Sequence, residues 1–200
     1  MSNSVAENAA LRGELVIRAR RARELQARLI QSNALGPGYH PEQEAMDVAN
    51  ADWFADVLIK QGWPKRSAVG DDGAAAAVQL LQRAMSRPDM QRRGLEMLMQ
   101  AAEKGEASMI DAAHFADRIA VYEGKPQLFG TQLDWQEDGT LAPAPMEDPA
   151  KIDQRRALVG LPPLADLMEQ AREAAIGGPP PDLAERRAAF EAWARKVGWR

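Results

Sequence analysis

The 200-residue sequence contains no cysteine and only two histidines, His40 and His114. Without cysteine, the chain can form no disulfide bond, no thiolate nucleophile and no Cys-ligated metal site. The two histidines are far apart in the sequence, and neither belongs to a His-Glu-x-x-His motif or to a regularly spaced group of aspartates. We therefore expect neither a metal site nor a bound cofactor.

Long apolar runs and common catalytic loop motifs are also missing. Residues 1–10 lack the apolar segment of a signal peptide, and no run approaches the ~18 apolar residues of a membrane span. Neither a Gly-rich phosphate loop nor a Gly-x-Ser-x-Gly elbow occurs. The net charge of −4 argues against general nucleic-acid binding, because phosphate neutralisation requires a basic surface. The sequence predicts a cytoplasmic protein that does not contact membranes.

The sequence is rich in residues that favour helices. It is 46% hydrophobic but only 6% aromatic, and Ala, Leu, Met, Glu, Arg and Gln dominate. Apolar residues recur at helical spacing, whereas Asp138-Gly139 separates two short segments with the alternation of strands, 127–135 and 140–144. The fold class predicted is mainly α: a compact multi-helix domain with one β-hairpin, a long N-terminal helix and a linked C-terminal amphipathic helix.

Breaks in the helical pattern divide the chain into four parts. We expect an accessory N-terminal helix at 1–33, a helical core domain at 41–175 with the hairpin at about 127–144, a Pro/Gly linker at 176–181 and an amphipathic helix at 182–200. The first helix is rich in arginine, and the last combines Phe190 and Trp193 with several cations. These terminal helices either bind a protein partner or a second copy, or fold back onto their own domain.

Polar residues are concentrated between positions 117 and 132. Asp117 and Arg118 end a mostly apolar helix, and Gln127, Thr131 and Gln132 follow in the predicted first strand. Gly130 lies inside that strand and suggests a close approach by a ligand or by a packed helix. The segment is therefore either a polar binding site or a buried network that satisfies backbone groups.

Helical geometry separates the polar residues of the preceding helix into two groups. Asp111, His114 and Arg118 share one stripe, whereas Asp117 points to another side. Arg118 could hold a carboxylate or phosphate, and His114 could act as an acid or base. Alternatively, the stripe is solvated and Asp117 caps or pairs with a neighbouring element. The catalytic candidates are accordingly Asp117 and His114.

Several short motifs lie between about residues 47 and 168, among them Gly62-Trp63-Pro64, Asp117-Arg118, Gly130-Thr131-Gln132 and Gly160-Leu161-Pro162-Pro163-Leu164. Together they resemble the pattern of an uncharacterised bacterial family, a domain of unknown function. Relatives usually have Gln-His-Ala-Asp where this chain has Gln82-Arg83-Ala84-Met85, and Tyr where it has Phe129. The resemblance implies no reaction, and the departure at residues 82–85 favours binding over catalysis.

Three functional hypotheses follow. The first is a binding domain that holds a small molecule or a protein partner in a polar groove around residues 117–132, through Arg118, Gln127, Thr131, Gln132 and Gln82. The second is an enzyme for a small polar or anionic substrate, with Arg118 as anchor and Asp117 or His114 as acid or base. The third, which the net charge disfavours, is RNA binding through the first helix.

Overall fold

The structure is a computed structural model that describes residues 2–34, 39–175 and 182–200, with side chains from residue 5 onward. Within it the chain forms two compact units, Met1–Ser108 (unit 1) and Met109–Arg200 (unit 2). The predicted Pro/Gly linker at 176–181 lies outside the described residues. None of the described helices is both long enough and apolar enough to cross a membrane.

The described residues of unit 1 form four helices: α1 (Ser2–Gln31), α2 (Pro41–Gln61), α3 (Arg66–Arg83) and α4 (Pro88–Glu103). The long N-terminal helix is thus confirmed. Its apolar stripe, which includes Leu15, Ala22 and Leu29, is buried and packs mainly on α3. Burial of this stripe supplies the hydrophobic free energy that attaches α1 to unit 1.

A buried carboxylate joins α2 to α3. Asp47 accepts hydrogen bonds from Arg83 Nε at 2.8 Å and Arg83 Nη2 at 3.2 Å, and from Tyr39 Oη and Gln43 Nε2. The pKa of Tyr39 is raised by burial and by its bond to Asp47. Arg83 is therefore a structural partner of Asp47.

Helix α3 is interrupted at Gly70, whose φ of 72° and ψ of 176° are not helical, so that a short helical segment at 66–69 precedes the main helix. Asp71 or Asp72 looks like a helix start in the sequence, and the main helix does begin directly after Gly70. Glu106 accepts hydrogen bonds from the Ser67 backbone N–H and hydroxyl, so it satisfies groups in the first turn. A carboxylate distant in sequence supplies this cap, which is why local signals do not indicate it.

Unit 2 contains the hairpin, and its strands are shorter than predicted. Its described elements are α5 (Met109–Tyr122), β1 (Leu133–Trp135), β2 (Leu141–Pro143), a 3-10 turn (Pro149–Lys151), α6 (Ile152–Leu158), α7 (Leu164–Ala174) and α8 (Leu183–Val197). The strands pair antiparallel, with Asp134 opposite Ala142. The mainly α fold with a hairpin is confirmed, but residues 127–132 form a loop instead of the predicted strand.

Two helical glycines allow a matched test of packing in unit 1. A Cβ on Gly94 would lie 2.3 Å from Cδ1 of Leu81, which is fully buried, whereas a Cβ on Gly13 would meet nothing within 4 Å. We expect Gly94→Ala to lower the free energy of unfolding by about 1–3 kcal/mol through overpacking. Gly13→Ala should raise it by about 0.5–1 kcal/mol through helix propensity. Urea unfolding measures both changes, and equal stabilisation by the two would show that Leu81 is loosely packed.

Candidate functional site

The carboxylate of Asp117 organises the loop at residues 127–132. It lies on α5 and is fully buried. Oδ1 accepts the backbone N–H groups of Leu128 at 2.8 Å and Phe129 at 3.0 Å. Oδ2 accepts the N–H of Thr131 at 2.9 Å and its hydroxyl at 3.0 Å. One side chain thus holds three backbone amides and a hydroxyl of a single loop.

These bonds explain why the loop is not a strand. The N–H groups that would extend the ladder with β2 are donated to Asp117 instead. Gly130 has a φ of 66°, a left-handed conformation that an extended strand does not contain. The side chains of residues 127–132 therefore do not alternate between two faces as they would in a strand. Their directions follow from the backbone conformation that the bonds to Asp117 impose.

Gln127 closes the loop across the base of the hairpin. Its fully buried side chain donates from Nε2 to the carbonyls of Gln132 at 2.9 Å and Ala144 at 2.8 Å. Its Oε1 accepts the Gln132 N–H at 2.9 Å. Because each polar atom of the amide has a backbone partner, Gln127 presents nothing to a ligand in this arrangement.

Two arginines of α6, which are not among the predicted site residues, complete the loop. Arg156, only 1% exposed, donates from Nη1 to the Phe129 carbonyl at 2.7 Å and from Nε to the Pro162 carbonyl at 2.6 Å. Arg155 Nε donates to the Leu128 carbonyl at 2.6 Å. Burial lowers the pKa of Arg156. The adjacent arginines on a short helix are the signal in the sequence that could have pointed to them.

The side chains of His114 and Arg118 take no part in this loop's hydrogen bonds. Both side chains are half-buried on α5, and neither has a side-chain hydrogen bond or ion pair in the part of the chain that the structure describes. Burial lowers the pKa of His114, and Arg156 and Arg118 lower it further against the opposing effect of Asp111 and Asp117. The imidazole is accordingly neutral near pH 7.

The predicted site residues are only partly brought together. Asp117, Gln127, Thr131 and Gln132 share one hydrogen-bonded network, which His114 joins through its backbone carbonyl at 3.5 Å from Gln132 Nε2. Gln82 belongs to unit 1, where its carbonyl accepts a bond from Gln91. The described residues contain no group of three or more His, Asp or Glu side chains able to hold a metal ion.

An open groove of about 530 Å³ borders this network in unit 2. We call it the α8 groove, since α8 forms one wall, while β1 and the end of α5 form the others. Gln132 is the predicted site residue that lines it. Its further lining includes Tyr122, Lys125, Leu133, Asp134, Trp135, Leu183, Arg186, Arg187, Phe190, Glu191 and Arg200.

Aromatic packing and arginine bonds fix α8 as a wall of the groove. The Tyr122 ring lies 5.6 Å from that of Phe190 and 5.2 Å from that of Trp199. Arg200 donates to the carbonyls of Val121 and Tyr122 at 2.8 and 2.9 Å, which caps the C-terminal end of α5. Arg187 binds Asp134 at 3.0 Å. In this structure the last helix folds back onto its own unit.

Comparison with known proteins gives a family but no activity. A model of a family of unknown function (DUF6624) matches residues 39–179. No curated protein and no solved structure shows significant similarity to the chain.

Asp117→Asn should detach the loop from α5. The amide cannot accept all four bonds, and its NH2 group would face N–H donors, so we expect a loss of about 3 kcal/mol in unfolding free energy. Hydrogen exchange of the Leu128, Phe129 and Thr131 amides should accelerate as well. Asp166→Asn, an exposed change on α7, is the control. Unchanged exchange at these three amides would contradict this role of Asp117.

The lowered pKa of His114 predicts a pH dependence of stability. Below the ordinary value of 6.5, the unfolded chain takes up a proton that the folded chain resists. The contribution of this histidine is therefore complete above that value and is lost as pH falls through the lower folded pKa. The stability difference between wild type and His114→Gln should change in this sense from about pH 7 to about pH 5, as measured by thermal unfolding. A difference that is independent of pH would contradict the assignment.

Proposed function

Because the chain belongs to a family whose function is unknown, we propose from the geometry of unit 2 that it is a binding protein. In this proposal, a small organic ligand occupies the α8 groove. The observation that carries the proposal is the groove itself: its volume of about 530 Å³ lies within the range of small-molecule sites, and its walls combine aromatic rings with a few polar groups.

The Asp117 network supports this proposal by making the floor of the groove rigid. Gln132 Nε2 is held by the Thr131 hydroxyl at 3.0 Å, and that hydroxyl is in turn held by Asp117. Gln132 Oε1 has no hydrogen-bond partner within the described ranges, so an acceptor of fixed position is available on the floor. Preorganised polar groups of this kind lower the entropy cost of binding.

Catalysis by Asp117 has less support than binding. Both of its oxygens hold backbone groups of the loop, so proton transfer to or from the carboxylate would weaken the bonds that keep the loop in place. The enzyme alternative then depends on His114 as a neutral base with Arg118 as anchor. Its support is the lowered pKa of His114. Loss of a measured turnover in both His114→Gln and Arg118→Gln would favour that alternative.

A macromolecular partner on the terminal helices has less support for a similar reason. The apolar stripe of α1 is buried within unit 1, and the aromatic residues of α8 pack on Tyr122 within unit 2. Arginines of α1 are also engaged: Arg12 pairs with Asp72 at 2.7 Å, Arg18 with Glu14 at 3.1 Å, and Arg28 with Glu42. Paired cations have less charge to offer RNA phosphates.

A screen of small aromatic fragments tests whether the groove binds ligands. With the ¹⁵N-labelled full chain, we expect amide shift changes from bound fragments to concentrate at residues 132–135 and 183–191, which line the groove. Leu183→Trp should weaken fragment binding at least about tenfold, because an indole would fill space that the ligand requires. Native mass spectrometry of the purified protein would show a co-purified ligand directly.

Leu158→Trp is the matched control for that variant. Leu158 is 82% exposed on α6 and does not line the groove, so this change should leave fragment binding unaltered. A fragment affinity that Leu183→Trp leaves unchanged would contradict the proposed function. So would a screen in which no amide shift changes occur at the groove.

A further inference from the structure

The charges in the α8 groove indicate the class of its ligand. We propose that this ligand is an organic monoanion, in which a carboxylate bound by Arg186 is joined to a flat apolar body that packs against the aromatic walls. This inference rests on the proposed function and specifies what the groove selects.

The groove has more positive than negative charge. Its lining includes the cations Lys125, Arg186, Arg187 and Arg200 and the carboxylates Asp134 and Glu191. Both carboxylates are already neutralised, because Asp134 binds Arg187 at 3.0 Å and Glu191 binds Arg200. Lys125 and Arg186 are the remaining cations of the lining. Because Lys125 is paired with Glu123, only the charge of Arg186 is left without a carboxylate partner, and it favours an anionic ligand.

Arg186 is the cation best able to bind that anion. Its guanidinium is exposed and has no hydrogen bond or ion pair with any residue described in the structure. Lys125, by comparison, is paired with Glu123 at 2.7 Å. A free guanidinium can bind a carboxylate through two parallel hydrogen bonds without first breaking an existing contact.

The remaining lining determines where the rest of the ligand lies. Leu133 and Trp135 on one wall and Leu183 and Phe190 on the other form an apolar space suited to a flat hydrocarbon or aromatic body. Gln132 Oε1 is an acceptor and would repel a carboxylate oxygen. Of the polar groups on the lining, Arg186 therefore favours the negative end of the ligand, whereas Gln132 Oε1 disfavours it.

Two ligands that differ in charge but hardly in shape test the inference: 2-naphthoate and its neutral amide, 2-naphthamide. We expect the full-length protein to bind 2-naphthoate roughly tenfold more tightly in calorimetry or NMR titration, since charge-assisted bonds exceed neutral ones. Arg186→Gln should reduce the affinity for the anion to that for the amide, and leave binding of the amide unchanged. The fold should tolerate this change, because the side chain is exposed.

Arg172→Gln is the control for net charge. Arg172 is exposed on α7 and outside the groove lining, so its removal changes the charge equally and should preserve the preference for the anion. Equal affinity for the two ligands within the groove would overturn the anion class and leave the proposed function in place. A preference that survives Arg186→Gln would overturn the role of Arg186. Absence of binding by both ligands, together with an empty fragment screen, would overturn both proposals.

Discussion

The buried carboxylate of Asp117 is the interaction on which the structure of unit 2 depends. A fully buried charge is costly unless hydrogen bonds replace its lost hydration, and here three backbone amides and the Thr131 hydroxyl do so. The same bonds satisfy three loop amides that make no hydrogen bond to a neighbouring strand. The loop in turn offers carbonyls to Arg155 and Arg156, which attach α6. The hydrogen bonds that stabilise the buried charge are therefore the same ones that fix the conformation of the loop.

Most polar side chains of the segment at 117–132 therefore stabilise the fold and are not available to a ligand. Asp117, Gln127 and Arg156 direct their polar atoms to backbone groups, and such completed networks fix a single conformation. Gln132 is different, because it lines the groove and its Nε2 is hydrogen-bonded, while its Oε1 has no hydrogen-bond partner among the described residues. The candidate site, the α8 groove, thus lies next to the polar segment at 117–132. That segment holds Gln132 in position but does not itself form the site.

The sequence could indicate the helices, since apolar spacing depends on side chains within one element, as the stripe of α1 shows. It could not indicate that 127–132 is a loop. Alternation of apolar and polar residues reports only the directions of side chains. The loop forms instead of a strand because the Asp117 carboxylate, ten or more residues away, accepts the backbone N–H groups. The α8 groove was equally inaccessible to local patterns, because its walls come from segments about fifty residues apart.

The arginines of α8 show why residue type alone does not identify a binding group. Arg186 and Arg187 are adjacent, and a helix turns by about 100° between them, so they meet different surroundings. Arg187 reaches Asp134 and the Trp135 carbonyl, and Arg200 reaches the end of α5; both stabilise the wall. Arg186 finds no such partner in the described structure. Because its neighbours fix α8 and Arg186 has no such contact, the proposed anion-binding role falls to Arg186 and not to Arg187 or Arg200.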